Sequence, residues 1–175
     1  METRFLVCTN RPSSPWFFLS WNIGKPLGDS VQEPIVYFGD LDLKPEDLQL
    51  TNGIQFLVSE RLLEILKAHG ANAEVFRSEI VFPNGKRRMD YFSLNFLDVF
   101  PVVDRGRSVF EVDPDFPDTK IYEIKRLVLN ESSIPSSPVF IMQENLSYIL
   151  VSENLRNDIQ HHSITGVRFE EIDLA

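Results

Sequence analysis

A chain of 175 residues, 43% hydrophobic and 25% charged, has the makings of one globular domain or two closely fused halves, which excludes a disordered or fibrous protein. The net charge of −9 argues against general DNA or RNA binding, because phosphate contact needs Lys and Arg to replace condensed counterions, and it favours a basic partner. A single cysteine rules out an internal disulfide framework, the longest apolar run falls far short of the ~18 residues of a spanning helix, and no Lys/Arg-rich amphipathic segment points to a bilayer surface.

The start, Met1-Glu2-Thr3-Arg4, has neither a basic n-region nor a long apolar stretch, so a cytoplasmic protein is expected. Phe5 to Cys8 and Trp16 to Trp21 read as two strands separated by Arg11-Pro12-Ser13-Ser14-Pro15, whose prolines fix φ and withhold ladder donors. Cys8, inside the first apolar run, reads as a core residue rather than a nucleophile. Pro34 to Phe38 is a further short strand stopped by Gly39, and Asp40 to Asn52 is an irregular acidic connection with a helical turn over Pro45 to Leu48. Residues 1–53 are thus expected to form an N-terminal β-rich segment packed on a main domain over residues 54–175.

Ile54 to Val58, β-branched and aromatic, is a strand that runs directly into a helix from Ser59 to Gly70. Ser59 can cap the free N–H groups and Glu60 sits where the helix dipole favours negative charge. Leu62, Ile65, Leu66 and His69 recur at helical spacing, and Gly70 supplies the stop. Glu74 to Phe82 places Phe76, Ile80 and Phe82 on one strand face. Asn84-Gly85 suits a tight hairpin, and Arg88 to Phe96 returns with Phe92, Leu94 and Phe96 on one face. Asp98 to Ser108 fits a short helix or a loop, with Asp104-Arg105-Gly106-Arg107-Ser108 as a polar turn, read as a surface loop with a nucleotide contact as the alternative. Asp113-Pro114-Asp115-Phe116-Pro117-Asp118 is a rigid acidic turn, because its prolines cannot continue a ladder. Then come a strand from Lys120 to Leu129, a loop from Asn130 to Pro138, strands at Val139 to Gln143 and Ser147 to Val151, a helix from Glu153 to His162 and a strand from Gly166 to Asp173.

An internal duplication is the strongest pattern. At a constant offset of 93, Leu57 to Phe76 aligned with Leu150 to Phe169 gives seven identities in twenty positions, including an unbroken Leu-Val-Ser-Glu. In each copy a strand ends at a capping serine, a glutamate opens the helix and a leucine faces the core. Ser59 or Ser152 as nucleophile with His69 or His162 as base is disfavoured within a copy, since ten helical residues separate Ser from His by ~15 Å. His161-His162 lacks Cys, His or carboxylate partners at metal-ligand spacing, and adjacent helical residues point about 100° apart. No phosphate loop, nucleophile elbow, H-E-x-x-H or deaminase cysteine pair is present, so no catalytic residue, cofactor or metal is implied. The fold class is α+β, with a mixed or mainly antiparallel sheet, two related strand-helix-strand units and few helices.

These residues resemble the immunity-protein family eleven of bacterial polymorphic toxin systems, formerly a domain of unknown function. The resemblance is carried by Leu57-Val58-Ser59-Glu60-Arg61-Leu62, by Tyr91 to Leu97 with Asp104 and Ser108, by Ile124 to Glu131, by Leu150-Val151-Ser152-Glu153-Asn154-Leu155 and by Gly166-Val167-Arg168-Phe169. It implies an α+β fold and neutralisation of a cognate toxin made by the same or a sibling cell. Two places depart from the family's pattern: the second copy has Asn154 where an arginine is expected, and Val139-Phe140-Ile141-Met142 lacks an arginine after the phenylalanine.

The leading expectation is therefore a protein that binds and inhibits a basic, cytoplasm-acting toxin through its acidic surface. Asp113, Asp115 and Asp118 on the turn, and Glu153, Asp158, Glu170, Glu171 and Asp173 near the C-terminus, are the candidate contacts. The alternative is a small enzyme or ligand-binding domain whose site is assembled from residues distant in sequence, such as His69, His162, Asp104 and Arg107.

Overall fold

The computed structural model describes residues 23–31, 33–39, 46–50, 56–116, 118 and 120–175. The strands expected at Phe5 to Cys8 and Trp16 to Trp21, and the placement of Cys8, lie outside these residues.

Five strands form the largest sheet: β1 (Ile35–Phe38), β2 (Leu48–Leu50), β3 (Phe56–Ser59), β4 (Ala73–Val81) and β5 (Arg87–Phe96), in the order β1-β4-β5-β3-β2. Only the β1–β4 pairing is parallel. β4 and β5 form the expected hairpin. Gly85 takes φ 80° at its tip, and Asn84 Oδ1 accepts from the Lys86 N–H at 3.0 Å. β1 and β2, both before residue 54, are the two edges of this sheet, so they are integral to it.

The helix α1 (Glu60–Ala68) follows β3 without a linker and buries Leu62, Leu63, Ile65 and Leu66. A second, three-stranded sheet combines β6 (Val99–Phe100), β10 (Val139–Met142) and β11 (Ile149–Val151), with β10 in the middle, and leads into α2 (Glu153–His161). Two small ladders complete the fold. β7 (Val109–Val112) pairs antiparallel with β8 (Ile121–Arg126), and β9 (Val128–Leu129) pairs in parallel with β12 (Asp173–Leu174). Mixed sheets and two α-helices among the described residues make the architecture α+β.

The principal core lies between the two sheets and the two helices. One face of β5, Leu94 and Phe96 with Phe92 beside them, meets Leu62 and Leu66 of α1, Val139 and Ile141 of β10, and Leu155 and Ile159 of α2. The opposite face of β10 and β11 packs Phe140, Met142 and Leu150 against Val102 and Leu129. The other face of the large sheet is also buried and partly polar. The Tyr37 hydroxyl and Ser78 Oγ each lie 2.7 Å from Ser93 Oγ, beside Leu57, Ile80 and Tyr91. Buried hydroxyls persist there because each has a partner.

Four sequence expectations give way. Of the turn expected over Pro45 to Leu48, Pro45 lies outside the described residues, and Glu46 and Asp47 instead lead into edge strand β2, where Leu48 pairs with Val58 in the ladder. Asp98 to Ser108, expected as helix or loop, contains the short strand β6, which is captured by β10 at Ile141 and Met142. The single strand expected from Lys120 to Leu129 breaks at Leu127 into β8 and β9, which pair with different partners. Gly166 to Ile172 is irregular rather than a strand, and only Asp173 and Leu174 pair. Its alternating Val167 and Phe169 pack onto the main core without a ladder.

Candidate functional site

The duplicated units share cap geometry, helix length and helix ending. Ser59 and Ser152 have nearly the same extended conformation, φ −68°, ψ 160° and φ −67°, ψ 157°, and each hydroxyl accepts from the N–H three residues on at 3.3 Å. Both serines are helix caps. His69 and His162 end the two helices, and Gly70 and Ser163, also related by the offset of 93, both follow at positive φ. The two β-strands leading into these helices belong to different sheets.

The first cap is wired into a buried knot. Asp47, 8% exposed, accepts from the Ser59 hydroxyl at 2.6 Å, from the Thr165 N–H at 2.9 Å and from the Thr165 hydroxyl at 3.0 Å. The Asp47 carbonyl also accepts from the Ser59 N–H at 2.8 Å. Burial pushes the Asp47 carboxyl up, but the hydrogen bonds from Ser59 and Thr165 and the charge of Arg61 together outweigh it and hold the group below the ordinary aspartate value. Arg61 reaches past Asp47 to donate to the His162 carbonyl at 2.7 Å, so the start of α1 is tied to the end of α2.

On the same helix pair, His69 Nε2 lies 3.0 Å from Asp158 Oδ2, while His162 Nδ1 lies 2.9 Å from the Asp158 carbonyl oxygen and 3.3 Å from its Oδ1. The structure thus brings both repeat histidines to Asp158, His69 to its carboxylate and His162 chiefly to its carbonyl. A shallow depression of about 510 Å³, open to solvent, is lined there by His69, Asn154, Asn157, Asp158 and His161. Neither serine lines it. Asp104 and Arg107 sit in a separate turn, where Asp104 Oδ1 accepts from the N–H groups of Gly106 and Arg107 at 2.9 and 3.0 Å. Among the described residues no group of three or more His, Cys, Asp or Glu side chains is arranged to hold a metal.

The acidic candidates fall into two sets. Asp113, Asp115 and Asp118 occupy the tip of the β7–β8 ribbon. Asp113 shapes the turn by accepting from the Asp115 N–H at 2.9 Å, whereas Asp115 and Asp118 are exposed. The second set is largely engaged within the fold. Glu153 and Glu171 both pair with Arg156, at 3.3 and 3.5 Å, Asp158 joins the histidines, and Asp173 pairs with Arg126 at 3.3 Å. Glu170 stands near Tyr148, whose phenol is held above its ordinary value by burial and then by that charge.

The sequence reading missed the ribbon's aromatic and apolar exposure. Tyr122 is 74% exposed and Phe116 60% exposed, with Val109 and Val112 also open. The missed signal was Val109-Phe110-Glu111-Val112, a short β-branched and aromatic stretch that reads as a strand before the acidic turn. It also missed Asp47, since an aspartate in an irregular acidic stretch carries no local mark of a partner at residue 165.

Among the described residues no helix is long and apolar enough to cross a membrane. Comparison with curated proteins finds no match. The family model of the immunity protein family (Imm11) matches residues 29–173, spanning both repeat units, the ribbon and the Asp47 knot, and the chain belongs to that family.

Proposed function

We propose that this protein is a toxin-neutralising immunity protein that binds a cognate toxin acting in the cytoplasm and holds it inactive, without catalysing a reaction. Family membership over residues 29–173 carries the reading. The local chemistry supports it. Both repeat serines are committed as helix caps, and the hydroxyl of Ser59 is further bonded to Asp47, which leaves neither as an activated nucleophile. An acidic exterior suits a basic toxin face, because opposite fields speed encounter and disfavour wrong partners.

The test is co-expression with the toxin domain encoded beside this gene. Growth is expected to be restored when the toxin is retained inside the cell, and the two proteins should co-purify. A toxin that kills equally with and without this protein overturns the reading. Sending the toxin out of the cytoplasm on an export leader should abolish its killing with or without this protein, whereas an exported toxin that still kills refutes the cytoplasmic assignment.

A second reading, a small enzyme, has one observation in its favour: His69 and Asp158, 3.0 Å apart, both line a depression open to solvent. It predicts that His69→Ala abolishes function while leaving complex formation intact. The binding reading predicts that this variant still protects.

A further inference from the structure

Resting on that toxin-binding reading, we infer that the β7–β8 ribbon, Val109 to Arg126, is the element that grips the toxin, with Phe116 and Tyr122 entering an apolar recess bordered by basic side chains.

The ribbon is a poor structure by itself. β7 and β8 pair only with each other among the described strands, and a lone two-stranded hairpin is marginal in water. Its register sets Glu111 opposite Glu123, a like-charge pair that weakens the ladder, and bulges interrupt it twice. Fold stability gives no reason for such a segment to expose aromatic side chains. Yet four of the eight large apolar side chains exposed among the described residues fall between Val109 and Tyr122. Aromatic side chains concentrated at an exposed tip are the usual carriers of binding energy at protein interfaces.

The charges identify the partner's chemistry. The ribbon's own cations are already occupied: the Lys120 amine donates to the Gln143 carbonyl at 3.1 Å, Lys125 pairs with Glu111 at 2.6 Å and Arg126 pairs with Asp173. Asp115 and Asp118 have no ion-pair partner among the described residues, and Glu123 has none within 4 Å, although Lys125, already paired with Glu111, also feels its charge. Unneutralised carboxylates around exposed aromatics repel nucleic acid and anionic lipid and complement a basic protein surface. The ribbon is also anchored beside its tip, where Ile121 pairs with Val112: the Ile121 N–H donates to the Glu144 carbonyl at 2.8 Å and the Asn145 amide donates to the Ile121 carbonyl at 3.1 Å. An anchor next to the turn reduces the ordering cost of presenting it.

The test measures binding of the purified toxin domain encoded beside this gene to wild type, to Phe116→Ala/Tyr122→Ala, to Asp115→Asn/Asp118→Asn/Glu123→Gln, and to a Met89→Ala control on the exposed end of the β4–β5 hairpin. The aromatic double variant is expected to bind about 100-fold more weakly with an unchanged melting temperature. The charge variant should associate roughly tenfold more slowly and lose most of its salt dependence, while the control binds like wild type. Equal binding by wild type and the aromatic variant overturns the ribbon assignment and leaves the immunity reading standing. A wild-type dimer in sedimentation that the aromatic variant abolishes, with toxin binding untouched, overturns it in favour of self-association. Absence of any binding or protection by wild type removes the immunity reading, and this inference falls with it.

Discussion

The two repeat copies share a cap, a helix length and a helix ending, yet the fold uses them differently. In the first, Ser59 is buried at 7% exposure and belongs to the Asp47 knot. In the second, Ser152 is exposed and its hydroxyl's role is the cap. After the helices the copies part altogether. Ala73 opens β4, whereas its counterpart at the offset of 93, Gly166, takes φ 81° and turns the chain against the backbone of Leu48. A repeated local sequence therefore fixes the strand-cap-helix element, while long-range partners decide whether the next segment becomes a strand.

The sharpest way to break this contrast is Gly166→Ala, which makes the second copy resemble the first at that position. A Cβ at Gly166 would sit 2.1 Å from the Leu48 carbonyl oxygen and 3.0 Å from the Glu46 Cβ, in a conformation that L side chains rarely adopt. We expect a loss of about 3–5 kcal/mol in denaturant unfolding. Ala73→Gly, on the strand side, should cost only about 1 kcal/mol. Equal effects at the two positions would refute the assignment of Gly166 as the point of divergence.

Asp47 should give the next largest loss, because it joins the first copy's cap to the segment that follows the second copy's helix. Asp47→Ala leaves the Ser59 hydroxyl and the Thr165 N–H without their acceptor and should cost about 3 kcal/mol. The pH dependence follows from the depressed carboxyl. A group with a lower value folded than unfolded contributes stability that is complete above the unfolded value, 3.8, and is lost as pH falls through the folded one. Acid unfolding curves of wild type should therefore steepen below about pH 4 relative to those of Asp47→Asn. Parallel curves would show that the knot does not depend on the charge.

Ser59→Ala against Ser152→Ala tests the caps directly. Loss of the cap alone costs about 1 kcal/mol, which is the expectation for Ser152. Ser59 also donates to buried Asp47, so its removal should cost about 2–3 kcal/mol.

What was legible in the sequence follows the range of the forces involved. The caps at Ser59 and Ser152, the apolar face of α1 and the Asn84-Gly85 turn are set by residues within one turn of each other, and all form as read. The offset of 93 made the second helix readable from the first. Illegible were β6, which exists because β10 captures it, and the irregular path of Gly166 to Ile172, where Val167 and Phe169 alternate like a strand but face the core without a ladder partner. The acidic surface was visible as composition. Composition could not separate Glu153 and Glu171, spent on Arg156, from Asp115 and Asp118, which remain open.

The smallest effect belongs to the contact where the two copies meet. His69 and Asp158 lie at 3.0 Å, with side chains 22% and 37% exposed, so solvent screens the pair and Asp158 retains His162 when His69 is removed. A double-mutant cycle of His69→Ala and Asp158→Ala, followed by chemical denaturation at neutral pH, should give a coupling of less than about 1 kcal/mol. A coupling well above that would mean that the helix interface is held by this carboxylate rather than by Leu62, Leu66, Leu155 and Ile159 beneath it. The two copies would then be joined by a polar lock instead of by their shared apolar core.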